Sequence, residues 1–386
     1  MDFDLNDEQR QLSDSLERLL SQQYGFEQRQ AIIGSGFSPA IWSRIAELGI
    51  LSLPVSEQGG GFGGGAVDLM RPMTLIGQAL VVEPVLAHLV ATRLLDRATA
   101  KTGGAADLLQ QAMAGEKRLA WARSFPGSAD ACTAAAAGNG WSLKGRLTGV
   151  FGADGADYLL ISAPQERGAA LFMIPAGTPS VTLRAGRSLD NQRIADVVLD
   201  GVEVAAAMRV ADGTPAAEAL DDAADFASAL LCAEAVGIID FACQSTLEYL
   251  KTRKQFGVPI GSFQALQHRI VDLYVELEQV RSMAALACSK HDAGASGLIT
   301  PTERTRSVSA ARVLVGKAAM KVAQESVQLH GGMGMAEEMK ISHAFRRLTV
   351  LAQQAGNVGF FLDRFIEADR ALQATSPADP IEQPVS

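Results

Sequence analysis

The chain has 386 residues, 48% of them apolar, which is ample for a large core and for two or three domains or layers rather than one small unit. Lys+Arg 34 against Asp+Glu 43 give a formal charge of −9, which argues against nucleic acid as the main partner and leaves only a local basic patch for an anionic ligand. Cys132, Cys232, Cys243 and Cys288 are widely spaced and form no CxxC pair, so they read as small core residues in a reducing compartment, without support for zinc or a disulfide.

The first residues, MDFDLNDEQRQLSDS, are polar and acidic and carry no apolar signal segment behind a basic start. Later apolar stretches are broken by polar residues before about 18 positions, the length a membrane span needs. The expectation is a cytoplasmic protein without a membrane span.

Residues 1–115 read as a helical domain. Leu12, Leu16, Leu19 and Leu20 form one stripe, and Asn6 with Gln9 three residues on and Leu5 before it has the pattern of a capping box with a staple. A second helix is expected over 38–48, with Ile41, Ile45 and Leu48 on one face and Gly49 to stop it. The run Gly59-Gly60-Gly61-Phe62-Gly63-Gly64-Gly65 excludes regular helix and predicts a loop with unusual dihedrals or a very close approach. Helices resume over 66–97 and 105–114.

Residues 116–212 change period. Short apolar runs at Tyr158–Ile161, Leu171–Ile174 and Val197–Leu199, separated by Gly, Pro, Asn and Asp, predict a small antiparallel β domain with turns at Asn139-Gly140 and Asp154-Gly155. Over 213–372 the helical period returns, most clearly at Phe263, Leu266, Ile270, Leu273, Leu277 and Val280, a stripe suited to a bundle. Residues 373–386 contain three prolines and read as a disordered tail.

Two segments stand out chemically. In the first, a helix carrying Lys251, Arg253 and Lys254 meets a turn at Gly257-Val-Pro259, and another helix starts near Gly261 or Ser262. Guanidinium and ammonium groups beside a helix start suit an anion, although a solvated basic helix end before a plain αα-hairpin gives the same pattern. The second is Gln328-Leu-His-Gly-Gly-Met-Gly-Met335. Its glycines allow backbone N–H groups to face a phosphate, and ordinary helix-ending glycines fit the spacing equally well. The order, helix then glycines, excludes the strand–glycine–helix dinucleotide fingerprint and the P-loop. No HExxH pattern or tight cluster involves the five histidines, so no metal site is expected.

Together and about 75 residues apart, these segments resemble the acyl-CoA dehydrogenases. The family pattern Arg-x-x-Phe-Gly-x-x-Ile-x-x-x-Gln is complete in Arg253, Phe256, Gly257, Ile260 and Gln264, and Gln-x-x-Gly-Gly-x-Gly is complete in Gln328, Gly331, Gly332 and Gly334. The helical start, the Gly60–Gly64 loop and the helix–β–helix order extend the likeness over nearly the whole chain. It is nearest in look to small or partner subunits of heteromeric members acting on pimeloyl-CoA or steroid side-chain thioesters, in lipid or steroid catabolism.

The resemblance implies a mainly α fold: an N-terminal helical domain, a central β barrel or sandwich and a C-terminal four-helix bundle, assembled as dimers or tetramers. It implies FAD between the β domain and the bundle, with Arg253, Phe256 and Gln264 reaching a neighbour's dinucleotide and Gln328, Gly331 and Gly332 contacting its ADP part. The reaction implied is α,β-desaturation of an acyl-CoA, with electrons passing to an electron-transferring flavoprotein. Three departures qualify it. The position of the family's glutamate base holds Ala355, within Gln354-Ala-Gly-Asn357. An alternative base position on an earlier helix falls on Ala227; Asp225 and Glu234 lie nearby, and Glu234 is the weak substitute. The flavin-face segment is replaced by Arg123-Ser-Phe-Pro-Gly-Ser-Ala-Asp130, and the flavin-flanking aromatic by Thr148. Three functions follow: a subunit needing a partner's base, a self-sufficient dehydrogenase with a displaced base, or a non-catalytic paralogue.

Overall fold

The computed structural model describes residues 6–100, 104–123 and 131–375. Six helices come first: α1 (Asp7–Gln23), α2 (Phe26–Ser35), α3 (Pro39–Glu47), α4 (Ala66–Ala79), α5 (Val85–Thr99) and α6 (Ala106–Met113). The box at the start of α1 forms as its sequence dictates. Gln9 N donates to Asn6 Oδ1 at 2.8 Å, and Asn6 N donates to Gln9 Oε1 at 2.9 Å. Leu5, the staple residue, lies outside the described residues. After α3, Gly49 takes φ +80, which its lack of a Cβ permits.

Helix α2 is not anticipated by periodicity, because it buries only Arg29 and Ile32. A tertiary anchor replaces the apolar stripe: Arg29 Nε donates to Leu80 O at 2.7 Å, and Nη1 meets His343 Nδ1 at 2.9 Å. The glycine run is a packing loop. A Cβ on Gly61 would strike the Val55 carbonyl, and one on Gly65 would strike the Asp292 carboxylate. That carboxylate accepts from Ala66 N at 2.7 Å and Val67 N at 2.8 Å, capping α4 from a distant helix.

Strands β1 (Leu119–Ala122), β2 (Cys132–Ala137), β3 (Gly140–Phe151), β4 (Tyr158–Pro164), β5 (Ala169–Pro175), β6 (Val181–Arg187), β7 (Arg193–Ala205) and β8 (Arg209–Asp212) follow. They form two four-stranded sheets, β1-β4-β5-β8 and β2-β3-β7-β6. Leu159, Ile161 and Phe172 of one sheet and Leu143, Val197 and Leu199 of the other share a core. The first sheet is mixed rather than wholly antiparallel, because β1 runs parallel to β4, whereas the second is antiparallel throughout. The β2–β3 turn is also one residue earlier than the Asn139-Gly140 expectation. Ala137 pairs with Gly140, so Gly138, at φ +55, and Asn139 form the loop. Glycine as the first loop residue is what a type II′ hairpin requires.

The remaining chain forms α7 (Gly213–Thr252), the hairpin β9 (Lys254–Gln255) and β10 (Val258–Pro259), then α8 (Gln264–Ala295), α9 (Pro301–His330), α10 (Lys340–Leu351) and α11 (Val358–Thr375). Helices α7, α8, α9 and α11 pack as the bundle, with α10 against α7 and α9. Ile270, Leu273, Leu277 and Val280 of α8 are buried, whereas Phe263 stands before the helix and is 40% exposed. Contrary to expectation, α7 does contain an 18-residue window apolar enough to cross a membrane, but 83% of it is buried inside the fold. It is the core helix, and Gly237 lets it approach α4 so closely that a Cβ there would strike the Thr74 carbonyl. Residues 373–375, expected in the tail, continue α11; the disorder expected for 376–386 lies outside the described residues.

Candidate functional site

A cavity of about 90 Å³ opens where α5, β1, β3, α7 and the turn after α10 meet. Helix α5 contributes Leu86 and Val90, β1 and the residue after it Trp121 and Arg123, and β3 Thr148, Val150 and Phe151. Ala227 and Leu231 of α7 and Gln354 and Ala355 of the turn complete it. The two positions at which the sequence places a base, 355 and 227, therefore line one cavity, and both are alanine. Among the described residues that line it there is no Asp or Glu. Trp121 is a member that sequence analysis missed, since nothing in its neighbours marks it. Its indole N–H is buried and makes no hydrogen bond among the described residues.

The turn that carries Ala355 is held firmly. Ala355 has φ +65, in the left-handed region that alanine adopts at a cost of about 1–2 kcal/mol. Arg312 Nη2 donates to Leu351 O at 3.1 Å and Gln354 O at 2.8 Å, and Arg347 Nη1 donates to Gln354 Oε1 at 2.9 Å. Arg123 Nη2 approaches Ala355 O at 3.5 Å. The rest of the expected flavin-face segment, 124–130, lies outside the described residues.

The nearby carboxylates are occupied. Glu234, 3% exposed, takes a two-pronged ion pair from Arg347, with Nε to Oε1 at 2.6 Å and Nη2 to Oε2 at 2.8 Å. Arg347 also donates to Asp190 Oδ2 at 2.9 Å, tying the β domain to the bundle. Burial alone would lower the Arg347 pKa, but Glu234 and Asp190 raise it above its ordinary value. Both Glu234 oxygens are taken up by the Arg347 guanidinium, and Glu234 does not line the cavity, so the structure gives no support to it as the substitute base. Asp225 is buried and accepts from Arg304 Nε at 2.8 Å, Thr305 Oγ1 at 3.0 Å and Arg364 Nη1 at 2.5 Å.

The other sequence-selected residues converge at the far end of the bundle. The rings of Tyr249 and His330 stack with centroids 4.5 Å apart, setting the end of α7 beside the end of α9. Arg269 and Glu325 pair at 2.6 Å and join α8 to α9 there. Arg253 follows Tyr249, and Gly331 follows His330, so the two motifs become one patch. The turn is Phe256-Gly257, with φ +54 and +83, not Gly257-Val-Pro259. Both values are those of a type I′ hairpin, which puts a phenylalanine in the left-handed region with 92% of its surface exposed. Arg253, Gln264, Gln328, Gly331 and Gly332 are exposed as well. A Cβ on Gly331 or Gly332 would meet nothing within 4 Å; the backbone at Gly331, φ +62, still calls for glycine, whereas nothing within the chain demands one at 332. One on Gly334 would sit 2.7 Å from Val327 O, and that glycine is structural.

The patch and the cavity are far apart. Ala227 and Thr252 lie on the same helix, 25 residues from each other, or roughly 38 Å at 1.5 Å per residue.

Residues 6–112 match the acyl-CoA dehydrogenase N-terminal domain, and residues 217–360 match the acyl-CoA dehydrogenase C-terminal domain. Acyl-CoA dehydrogenase FadE27 of Mycobacterium tuberculosis is 30% identical over 315 residues, covering 80% of this chain and 82% of that protein. Among solved structures, a chain of the ChsE4-ChsE5 complex from Mycobacterium tuberculosis superposes with a TM-score of 0.83 at 26% identity, covering 98% of this chain and 100% of its own. A chain of the FAD complex of PigA superposes with a TM-score of 0.85 at 25% identity, covering 97% of this chain and 100% of its own. Fold, motifs and these relatives agree, and the chain belongs to the acyl-CoA dehydrogenase family.

Proposed function

We propose that this chain is a subunit of an FAD-dependent acyl-CoA dehydrogenase that desaturates the α,β bond of an acyl-CoA thioester and relies on a related partner subunit for the catalytic base. The observation that carries this is the cavity at 355 and 227, where both candidate base positions are alanine and no carboxylate is among the described lining residues. Proton abstraction next to a thioester needs a positioned acceptor, and the described residues at the cavity offer none.

The far patch fits a dinucleotide held mainly by another subunit. Arg253 supplies a planar, permanently charged fork for a pyrophosphate, Gln264 and Gln328 supply amides, and Phe256 an exposed ring. Gly331 and Gly332 leave open backbone that a ligand can approach. A span of roughly 38 Å between this patch and the chain's own cavity is too long for one dinucleotide to serve both. Residues at the patch would therefore grip a flavin whose ring lies against a neighbour. FAD, when bound, supplies the hydride-accepting chemistry, and an electron-transferring flavoprotein is the proposed acceptor of its electrons. The family relatives point the same way: PigA is described as an FAD complex, and ChsE4-ChsE5 as a complex of two named proteins.

A self-sufficient enzyme based on Glu234 is disfavoured by the Arg347 ion pair. A non-catalytic paralogue is separated by experiment. With a co-expressed homologue that carries glutamate at the position matching 355, Arg253→Ala in this chain should lower flavin content and turnover together. Unchanged flavin content and turnover in that assembly would remove this chain from the cofactor site.

A further inference from the structure

The cavity beside Ala355 keeps the outline of a reaction site but not its room. At about 90 Å³ it falls well below the ~300 Å³ at which pockets for small organic molecules begin. Its walls are chiefly apolar, from Leu86, Val90, Val150, Phe151 and Leu231, and neither Ala227 nor Ala355 takes up much space. The charged group among the described lining residues is Arg123.

Arg123 is held in place from several sides. Its guanidinium carbon stands 4.6 Å from the centroid of the Trp121 ring, a cation–π distance, and Nη2 approaches Ala355 O at 3.5 Å. The groups whose charges act on it are Arg364, which disfavours its cation, and Asp221 and Asp225, which favour it. Burial brings its pKa down to about 10, so it remains a cation at neutral pH. Burying a guanidinium in an apolar cavity is costly unless its surroundings are built to receive it. Arg123 is half-buried, held by an aromatic face and approaching a carbonyl on a turn pinned by Arg312 and Arg347, with the charges of Asp221 and Asp225 favouring its cation.

We propose that Arg123 is a built-in plug: its side chain fills the space beside position 355 that a flat ring or acyl group would need, and so closes this half of the site to ligands. The proposal rests on taking the cavity as the counterpart of the family's reaction site, and it deepens the division of labour. This chain would lack not only the base but also the opening, so that substrate and flavin ring are directed to the partner's half. Volume, rather than charge, is the operative property, which distinguishes a plug from an anion-binding arginine.

The test needs neither FAD nor a partner, so its outcome is independent of the cofactor assignment. Indole, a flat apolar ring system of modest size, is titrated into the lone chain by calorimetry. Engineered apolar cavities of about 150 Å³ bind benzene, which sets the scale for what truncation at 123 should allow. The wild type should show no saturable binding and Arg123→Ala saturable binding, at least tenfold tighter than any seen with the wild type. Arg123→Met, which keeps the stem and removes the charge, should stay closed like the wild type. Should Arg123→Ala fail to fold, Arg123→Val, with a short apolar stub, carries the same expectation. Wild-type binding within threefold of the truncated variant would overturn the plug, as would a folded truncated variant that binds nothing. Equal opening by Arg123→Met would overturn the role of volume.

Discussion

Glu234→Ala tests whether the buried carboxylate that the sequence offers as a substitute base is structural. In the wild type its side chain is 4% exposed and that of Arg347 3%, with two contacts of 2.6 and 2.8 Å between them. Removing Glu234 leaves Arg347 with Asp190 as its remaining carboxylate partner among the described residues, beside the buried Arg312. Breaking a buried pair from one side typically costs about 3–5 kcal/mol, because the surviving charge stays desolvated. The companion substitution Arg347→Met alone should cost a similar amount. The double variant Glu234→Ala/Arg347→Met should recover part of the loss, because neither member of that pair is then left buried without its partner, and only Asp190 still loses its arginine. Urea unfolding of all four proteins closes the cycle and gives the coupling energy. A loss below about 1 kcal/mol for Glu234→Ala would refute the structural role. So would a stable variant whose assembled enzyme turned over roughly 100-fold more slowly, the signature of a lost general base.

Acid should act through α7 and α8. Burial alone would raise the pKa values of Asp222 and Asp292, but His291, with Arg93 also acting on Asp222, holds both below the ordinary carboxylate value. Folded values below unfolded ones mean stability that is present above about pH 4 and lost as pH falls through that point toward the folded values. Thermal midpoints of Asp222→Asn between pH 3 and 6 should therefore fall less steeply than those of the wild type, and parallel curves would contradict this. Gly332→Ala should leave the lone chain within about 0.5 kcal/mol of the wild type, yet reduce FAD retention in the assembly; Gly334→Ala should lose about 1–3 kcal/mol through overpacking. Equal effects of the two on unfolding would show that the open face at Gly332 is an error of assignment. Ala355→Gly should raise the unfolding midpoint, by up to ~1 kcal/mol in stability, because glycine relieves the left-handed backbone. A loss of similar size would show that the turn is not strained.

Features encoded locally were legible in the sequence. The Asn6–Gln9 box, the stop at Gly49 and the α8 stripe depend on neighbours within a few positions, and spacing reveals them. Turn positions were legible only to within a residue. At Gly138-Asn139 and Phe256-Gly257 the strand register chose which pair bends, and a phenylalanine at φ +54 defies ordinary turn preference. Helix α2 escaped because its anchor, Arg29, finds its partners at Leu80 and His343. The state of Glu234 was equally hidden, its partner being 113 residues away. The motif residues 253–264 and 328–334 could be found separately, but their union depends on Tyr249 stacking on His330.

The central claim, that this chain lends cofactor contacts but not the base, is tested most directly by flavin bleaching. The purified chain, reconstituted with FAD, is mixed anaerobically with medium-chain, dicarboxylyl and steroid-type acyl-CoAs, alone and then with a co-expressed homologue carrying the glutamate. Loss of the oxidised flavin absorbance only in the presence of the homologue is the predicted result. Rapid bleaching by the lone chain would contradict it and return the base to a residue of this subunit.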